Sequence, residues 1–262
     1  MLSYIDQGRG PVLVFVHSYL WDKHMWDPQI EFLKTDYRCI SLDLIGHGES
    51  RLLEEKENIS FEKLAFEITE TLYYLGVEKY TYLGLSLGGM LAPYIHRLNR
   101  GKIEKLILMD TFLGVEPESS KQLYLEALNS IKSVSMIPEH VINKVAPIFF
   151  SPRTIIEKKT IYTDFIETLK NIEDTRLPTI VKIGLMLFER ESTLNYLYNC
   201  EIPIYYLTGE DDLPRPFSEA ILMDSLTPNS KLYKIKNAGH ISTLENPEEV
   251  NSLLSKILNE DK

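Results

Sequence analysis

The 262-residue chain predicts a doubly wound α/β fold on three observations. Strand-like apolar runs alternate with helix-like runs along most of its length. The strand-like runs are almost unbroken in their apolar character, as in a parallel sheet covered on both faces. One glycine-rich turn, Gly84-Leu85-Ser86-Leu87-Gly88-Gly89, joins a β-rich run to a helix-compatible one. Alternation of this kind requires parallel strands linked by right-handed crossovers.

Val12-Leu13-Val14-Phe15-Val16 is the first such strand, fully apolar and rich in β-branched residues. A helix is predicted over Trp26 to Leu33 and a second strand over Tyr37 to Leu42, ending at Asp43. Phe61, Leu64, Ala65, Ile68, Leu72 and Leu75 form one stripe at helical spacing, and Gly76 stops that helix. Tyr80 to Leu83 is the next strand, followed by the Ser86 turn and a helix over Met90 to Leu98. Lys105 to Asp110, Ile204 to Leu207 and Leu232 to Ile235 are further strands, and Val250 to Leu258 is the closing helix, after Pro247 near its start.

The stretch between Asp110 and Ile204 breaks this rhythm. It carries helix-like runs at Ser120 to Ser130, Pro138 to Val145, Arg153 to Asn171, Leu177 to Phe188 and Glu191 to Leu197, and many bulky apolar side chains. We read residues 114–199 as a helical insertion between core segments 1–113 and 200–262. Most of its aromatic residues belong to its own core and its seam with the sheet; the rest are expected to line an apolar pocket over Ser86.

Composition narrows the function. With 44% hydrophobic and 25% charged residues the chain is globular rather than disordered. A net charge of −10 and the lack of a basic run argue against nucleic acid and anionic membrane surfaces as partners. The N-terminal residues have neither a basic nor an apolar leader segment, and no apolar run approaches membrane-spanning length. Two widely separated cysteines, Cys39 and Cys200, give no disulfide framework or metal pattern, so a reducing cytoplasm is the simplest setting. No zinc spacing, phosphate-binding loop or dinucleotide fingerprint is present.

The chemistry is carried by three loops. In Gly84-Leu85-Ser86-Leu87-Gly88, a sharp strand-to-helix turn pushes Ser86 outward, and the flanking glycines avoid the clash that this creates. A serine hydroxyl needs a base, and the base needs an orienting acid. The base candidate is His240, in the loop Asn237-Ala238-Gly239-His240 after the last strand; its alternative role is to cap the following helix. The acid candidate is Asp212, at G-x-x-D-x-x-x-P spacing between Gly209 and Pro216, with Asp211 and Asp110 as competitors. Oxyanion donors are expected from the backbone N–H of Leu87 and, in the loop His17-Ser18-Tyr19, that of Tyr19. His24, His96 and His140 sit in helix-like runs, where structural roles are the default.

Taken in order, His17-Ser18-Tyr19, Trp26, Asp43-Leu44-Ile45-Gly46-His47-Gly48-Glu49-Ser50, the Ser86 elbow, the Asp212 loop and Gly239-His240 resemble the α/β-hydrolase superfamily across nearly the whole core. The resemblance implies an eight-stranded, mostly parallel sheet, a helical cap after the sixth strand, and no metal or organic cofactor. It also implies a small-molecule ester or lactone substrate cleaved through an acyl-enzyme on Ser86, Asp212 and His240. A carbon–carbon bond hydrolase, a cofactor-free perhydrolase and a non-catalytic small-molecule receptor share the same frame. Dehalogenases and epoxide hydrolases of this fold carry an aspartate where Ser86 stands. Asp43 to Ser50 is expected to be a structural turn beside the cleft. Ser18 replaces the family's usual glycine; a capping or backbone-bonding role is expected for its hydroxyl.

Overall fold

The computed structural model describes residues 1–132, 134 and 136–260. A single sheet of seven strands runs through it: β1 (Tyr4–Gln7), β2 (Val12–Val16), β3 (Arg38–Leu42), β4 (Tyr80–Leu85), β5 (Ile103–Met109), β6 (Ile204–Gly209) and β7 (Ser230–Ile235). Their spatial order is β1-β3-β2-β4-β5-β6-β7. Only β1 is antiparallel, pairing with β3; every other pairing is parallel. The sheet thus has seven strands where eight were expected. β1 is the strand without a sequence signature: Tyr4-Ile5-Asp6-Gln7 are half-exposed on an edge and lack the apolar run that marks the central strands.

Helices α1 (Asp27–Leu33), α2 (Phe61–Tyr74), α3 (Leu87–Met90) and α4 (Ala92–Leu98) connect the first strands, and α10 (Phe217–Leu226), α11 (Ser242–Glu245) and α12 (Pro247–Asn259) the last. Ser60 caps α2 by accepting from Lys63 N–H, and α2 ends at Gly76, whose φ of +65° a side chain would resist. Two buried apolar layers, one on each face, hold the sheet: one includes Ile40, Leu64, Ile68 and Tyr82, the other Phe15, Trp26, Ile107 and Leu254.

Between β5 and β6 the chain leaves the sheet for α5 (Glu118–Lys132), α6 (Glu139–Val145), α7 (Pro152–Glu157), α8 (Lys159–Lys170) and α9 (Leu177–Phe188). The run expected over Arg153 to Asn171 is two helices, broken at Lys158 (φ −114°, ψ 44°). The run expected over Glu191 to Leu197 is a short 3₁₀ turn at Leu194–Asn199. Helix α9 anchors these helices over the sheet. The Tyr19 hydroxyl donates to Ile180 O at 2.9 Å, and Leu53 N–H donates to Thr179 Oγ1 at 3.1 Å. Gly184 lets Tyr19 pass, since a Cβ there would lie 2.7 Å from the phenolic oxygen.

The turn after β3 is built on a buried ion pair. Asp43 accepts from Lys23 N–H and Lys23 Nζ, both at 2.7 Å, and from Glu49 N–H at 2.8 Å. Gly48 lies directly against that carboxylate, where a Cβ would come within 2.2 Å of Oδ2. Breaking a buried pair strands a charge, at a cost of several kcal/mol. Lys23→Met should therefore lower stability by about 3 kcal/mol in urea unfolding, with Asp43 left on its two backbone donors.

Candidate active site

Ser86 is the point where β4 becomes α3, and its backbone is forced into φ 53°, ψ −111°. Both sides of the residue are clamped. Its N–H donates to Met109 O at 2.9 Å, and its carbonyl accepts from Met90 N–H at 2.9 Å and from Thr111 Oγ1 at 2.7 Å. The glycines follow from close packing. A Cβ on Gly84 would lie 2.4 Å from the carbonyl of Gly88, and one on Gly88 would lie 2.3 Å from Val16 O. The elbow is thus pressed against the end of β2, beside the loop that carries Ser18 and Tyr19. The helix begins at Leu87 rather than at Met90, so the Leu87 N–H is the first of its unsatisfied donors. Among the described residues neither the Leu87 nor the Tyr19 N–H finds a hydrogen-bond partner.

Ser86 and His240 line one cavity, together with Ser18, Tyr19 and Phe149. Behind His240, its Nδ1 lies 3.0 and 3.1 Å from the two carboxylate oxygens of Asp212. Asp212 and His240 are 4% and 2% exposed, so this contact is shielded from solvent. The His240 loop is fixed by a buried glutamate, Glu245, that no motif in the sequence marks. Glu245 accepts from Gly239 N–H, Ile241 N–H and Ser151 N–H, and His240 N–H donates to Phe149 O. Gly209 and Gly239 allow the two loops to touch, since a Cβ on Gly209 would meet Gly239 O at 2.2 Å.

The competing acids lie elsewhere. Asp211 is only partly buried, and its N–H bonds Ala238 O. Asp110 is fully buried at φ 46°, with Oδ1 accepting from Gly209 N–H at 2.8 Å and Oδ2 2.5 Å from Ser242 Oγ. Burial, and then the neighbouring Asp212 charge, push its carboxyl well above the usual range. Asp110 therefore links β5, β6 and α11 and makes no hydrogen bond to His240.

The loop from β2 is shaped by two neutral histidines. His17 Nδ1–H donates to Ser18 O at 2.7 Å while Nε2 accepts from Leu44 N–H at 2.9 Å. His47 does the same between Ile45 O and Leu20 N–H. Burial lowers His17 to about 4 and His47 to about 3. Ser18 departs from expectation: its hydroxyl is buried without a hydrogen-bond partner among the described residues, so it neither caps nor bonds the backbone.

The cavity has two characters. Tyr19, Tyr124, Phe149 and Phe188 form a wall shared with an adjoining apolar space, lined further by Leu128 and Ile142. Tyr124 and Phe188 stack at 4.3 Å. The other side is charged: Glu116, Arg190 and Arg215 line the Ser86 cavity and are almost fully buried. None of the three stood out in the sequence, where charged residues read as surface.

An open, mostly parallel sheet with a strained serine at a strand-to-helix turn, and an acid-backed histidine lining the same cavity, defines a class of fold. The sequence profile of the alpha/beta hydrolase fold family matches residues 11–247, and the chain belongs to that family. It is 22% identical over 251 residues to 3-oxoadipate enol-lactonase 1 of Acinetobacter baylyi, covering 94% of this chain and 88% of the relative. It is 27% identical over 257 residues to the uncharacterized carboxylesterase nap of Bacillus subtilis, covering 95% and 80%. A thermophilic esterase from Thermogutta terrifontis, solved with malate bound, superposes with a TM-score of 0.89 at 25% identity, over 99% of this chain and 93% of that one. Among the described residues no helix is long and apolar enough to cross a membrane, and Cys39 and Cys200 are both free and buried.

The histidine pair gives a pH dependence. Each imidazole is neutral when folded and has its ordinary value near 6.5 when unfolded, so the unfolded chain binds more protons between 6.5 and the folded value. Their contribution is complete above pH 6.5 and is lost as pH falls toward 4 and then 3. Unfolding free energies from urea titrations across pH 4–6.5 should show a slope that His47→Gln flattens by up to about 1.4 kcal/mol per pH unit.

Proposed function

We propose that the protein is a serine hydrolase that cleaves a carboxylic ester through an acyl-enzyme. The observation that carries the reading is Ser86 and His240 lining one cavity with Asp212 3.0 Å behind His240. His240 Nε2 accepts the Ser86 proton as Oγ attacks the carbonyl carbon. Asp212 holds the Nδ1–H tautomer and stabilises the imidazolium. The tetrahedral oxygen is met by Leu87 N–H, at the positive end of a helix, and by Tyr19 N–H. The imidazolium then protonates the leaving alcohol, and water repeats the steps on the acyl-enzyme.

Residues 114–199 act in this reading as the cap that selects the substrate, with the adjoining apolar space taking a small to medium apolar part. The esterase and carboxylesterase relatives support an acyclic ester. The enol-lactonase relative supports a lactone as second reading, since a lactone is an internal ester opened by the same steps.

Turnover of p-nitrophenyl esters and fluorophosphonate labelling test the assignment. Ser86→Ala should abolish labelling and lower kcat on the order of 10⁶-fold. A folded variant that kept a substantial share of activity would overturn the nucleophile. Asp212→Asn should cost about 10⁴-fold in kcat by misorienting the imidazole. Asp110→Asn should keep most activity, because an amide can still accept from Gly209 N–H and donate to Ser242 Oγ, and Asp110 makes no hydrogen bond to His240. Equal losses in the two variants would sink the choice of acid.

A further inference from the structure

Buried arginines next to an active-site serine need a reason. Arg190 Nη1 donates to Glu116 Oε2 at 2.9 Å and to Leu187 O at 3.0 Å, while its Nε donates to Gly114 O at 2.9 Å. Arg215 Nη2 donates to Glu116 Oε1 at 2.7 Å, and its Nε donates to Pro214 O. One nitrogen on each guanidinium, Arg190 Nη2 and Arg215 Nη1, is buried with no hydrogen-bond partner among the described residues. A buried donor on a charged group left unpaired is costly, and native structures rarely tolerate it without a role.

The charges do not balance either. Glu116 stays ionised: burial opposes this, and Arg215 and Arg190 outweigh it. Glu219, 3.6 Å from Arg215 Nε, is raised by burial to about 7 despite Arg215, so it neutralises only part of the remaining charge. Two guanidiniums thus share one firmly ionised carboxylate beside Ser86. Their planar forks suit a second carboxylate, as the pair already holds Glu116 between them. Both arginines line the cavity that contains Ser86 and His240.

We propose that Arg190 Nη2 and Arg215 Nη1 form a carboxylate subsite in the Ser86 cavity, so that the preferred substrate is an ester or lactone bearing a second, free carboxylate. This rests on the serine-hydrolase reading for its chemistry, but the subsite itself is a binding site and can be measured without turnover. The apolar space on the far side of Tyr124 and Phe188 would then take the uncharged end of the substrate.

The test compares monomethyl glutarate with methyl butyrate on the purified chain, and titrates glutarate calorimetrically into the wild type and Ser86→Ala. The carboxylated ester should have a kcat/KM at least about tenfold above the neutral one, from two charge-assisted hydrogen bonds. Arg190→Gln and Arg215→Gln should each lower that ratio by about tenfold or more, mainly through KM, and weaken glutarate binding in parallel. Glutarate should compete with p-nitrophenyl butyrate in the wild type. If the variants unfold, the two wild-type measurements still decide. Equal kcat/KM for the two esters together with no glutarate binding would overturn the subsite while leaving the hydrolase reading intact. Glutarate binding without turnover of any ester and without Ser86 labelling would support the subsite and overturn the hydrolase reading.

Discussion

The site depends on one backbone constraint, the conformation of Ser86. A non-glycine residue at φ 53°, ψ −111° costs on the order of 1–3 kcal/mol and persists only where its surroundings over-determine it. Here they do. The Ser86 N–H is tied to the end of β5, its carbonyl to Thr111 and to the first turn of α3, and Gly84 and Gly88 are in backbone contact beneath it. The same turn sets the rest of the chemistry. Because Gly88 abuts Val16 O, the end of β2 and the loop that follows it are brought against the elbow. The Ser86 turn and the end of β2 are therefore held by packing of main chain on main chain, which rotamer motion cannot relax.

What was legible in the sequence follows from that. The core strands, the Ser86 elbow and the glycines at positions 76, 84 and 88 are each demanded by local backbone geometry, and local geometry leaves a local signature. The half-exposed edge strand β1 lacks such a signature, and so does the break at Lys158. Spacing alone ranked Asp212 above Asp110, but the physical difference is tertiary. Asp110 spends its two oxygens on Gly209 N–H and Ser242, whereas Asp212 turns both toward His240 Nδ1. The roles of Glu116, Arg190, Arg215 and Glu245 were unreadable, because burial of a charged side chain is decided by partners far away in sequence: Glu116 pairs with Arg190 and Arg215, and Glu245 accepts from Ser151 N–H as well as from its own loop.

The histidines show the same logic at lower stakes. His17 and His47 sit where a catalytic histidine would draw attention, beside the donor loop and close to the cavity. Each uses both ring nitrogens on backbone groups, and burial keeps both neutral. They act as rigid links between the loops after β2 and β3. His240 differs in that, among the described residues, only its Nδ1 has a hydrogen-bond partner, a carboxylate.

The ion cluster ties the helical excursion to the loop that carries Asp212. Glu116 precedes α5 and Arg190 follows α9, so they mark the two ends of the helical excursion, and their contact closes it. Arg215 comes from the core, three residues after Asp212, and its N–H donates to the same Asp212 Oδ1 that faces His240. A carboxylate bound by Arg190 and Arg215 would draw on groups that also fix the overlying helices and the orienting acid. An anionic substrate would then tighten the geometry of the Asp212–His240 pair as it binds, while a neutral ester of the same length would leave two buried guanidinium nitrogens unpaired. Discrimination of this kind is strong because the penalty falls on the site itself: a polar pocket built for one partner rejects its absence far more sharply than an apolar pocket rejects a missing methylene.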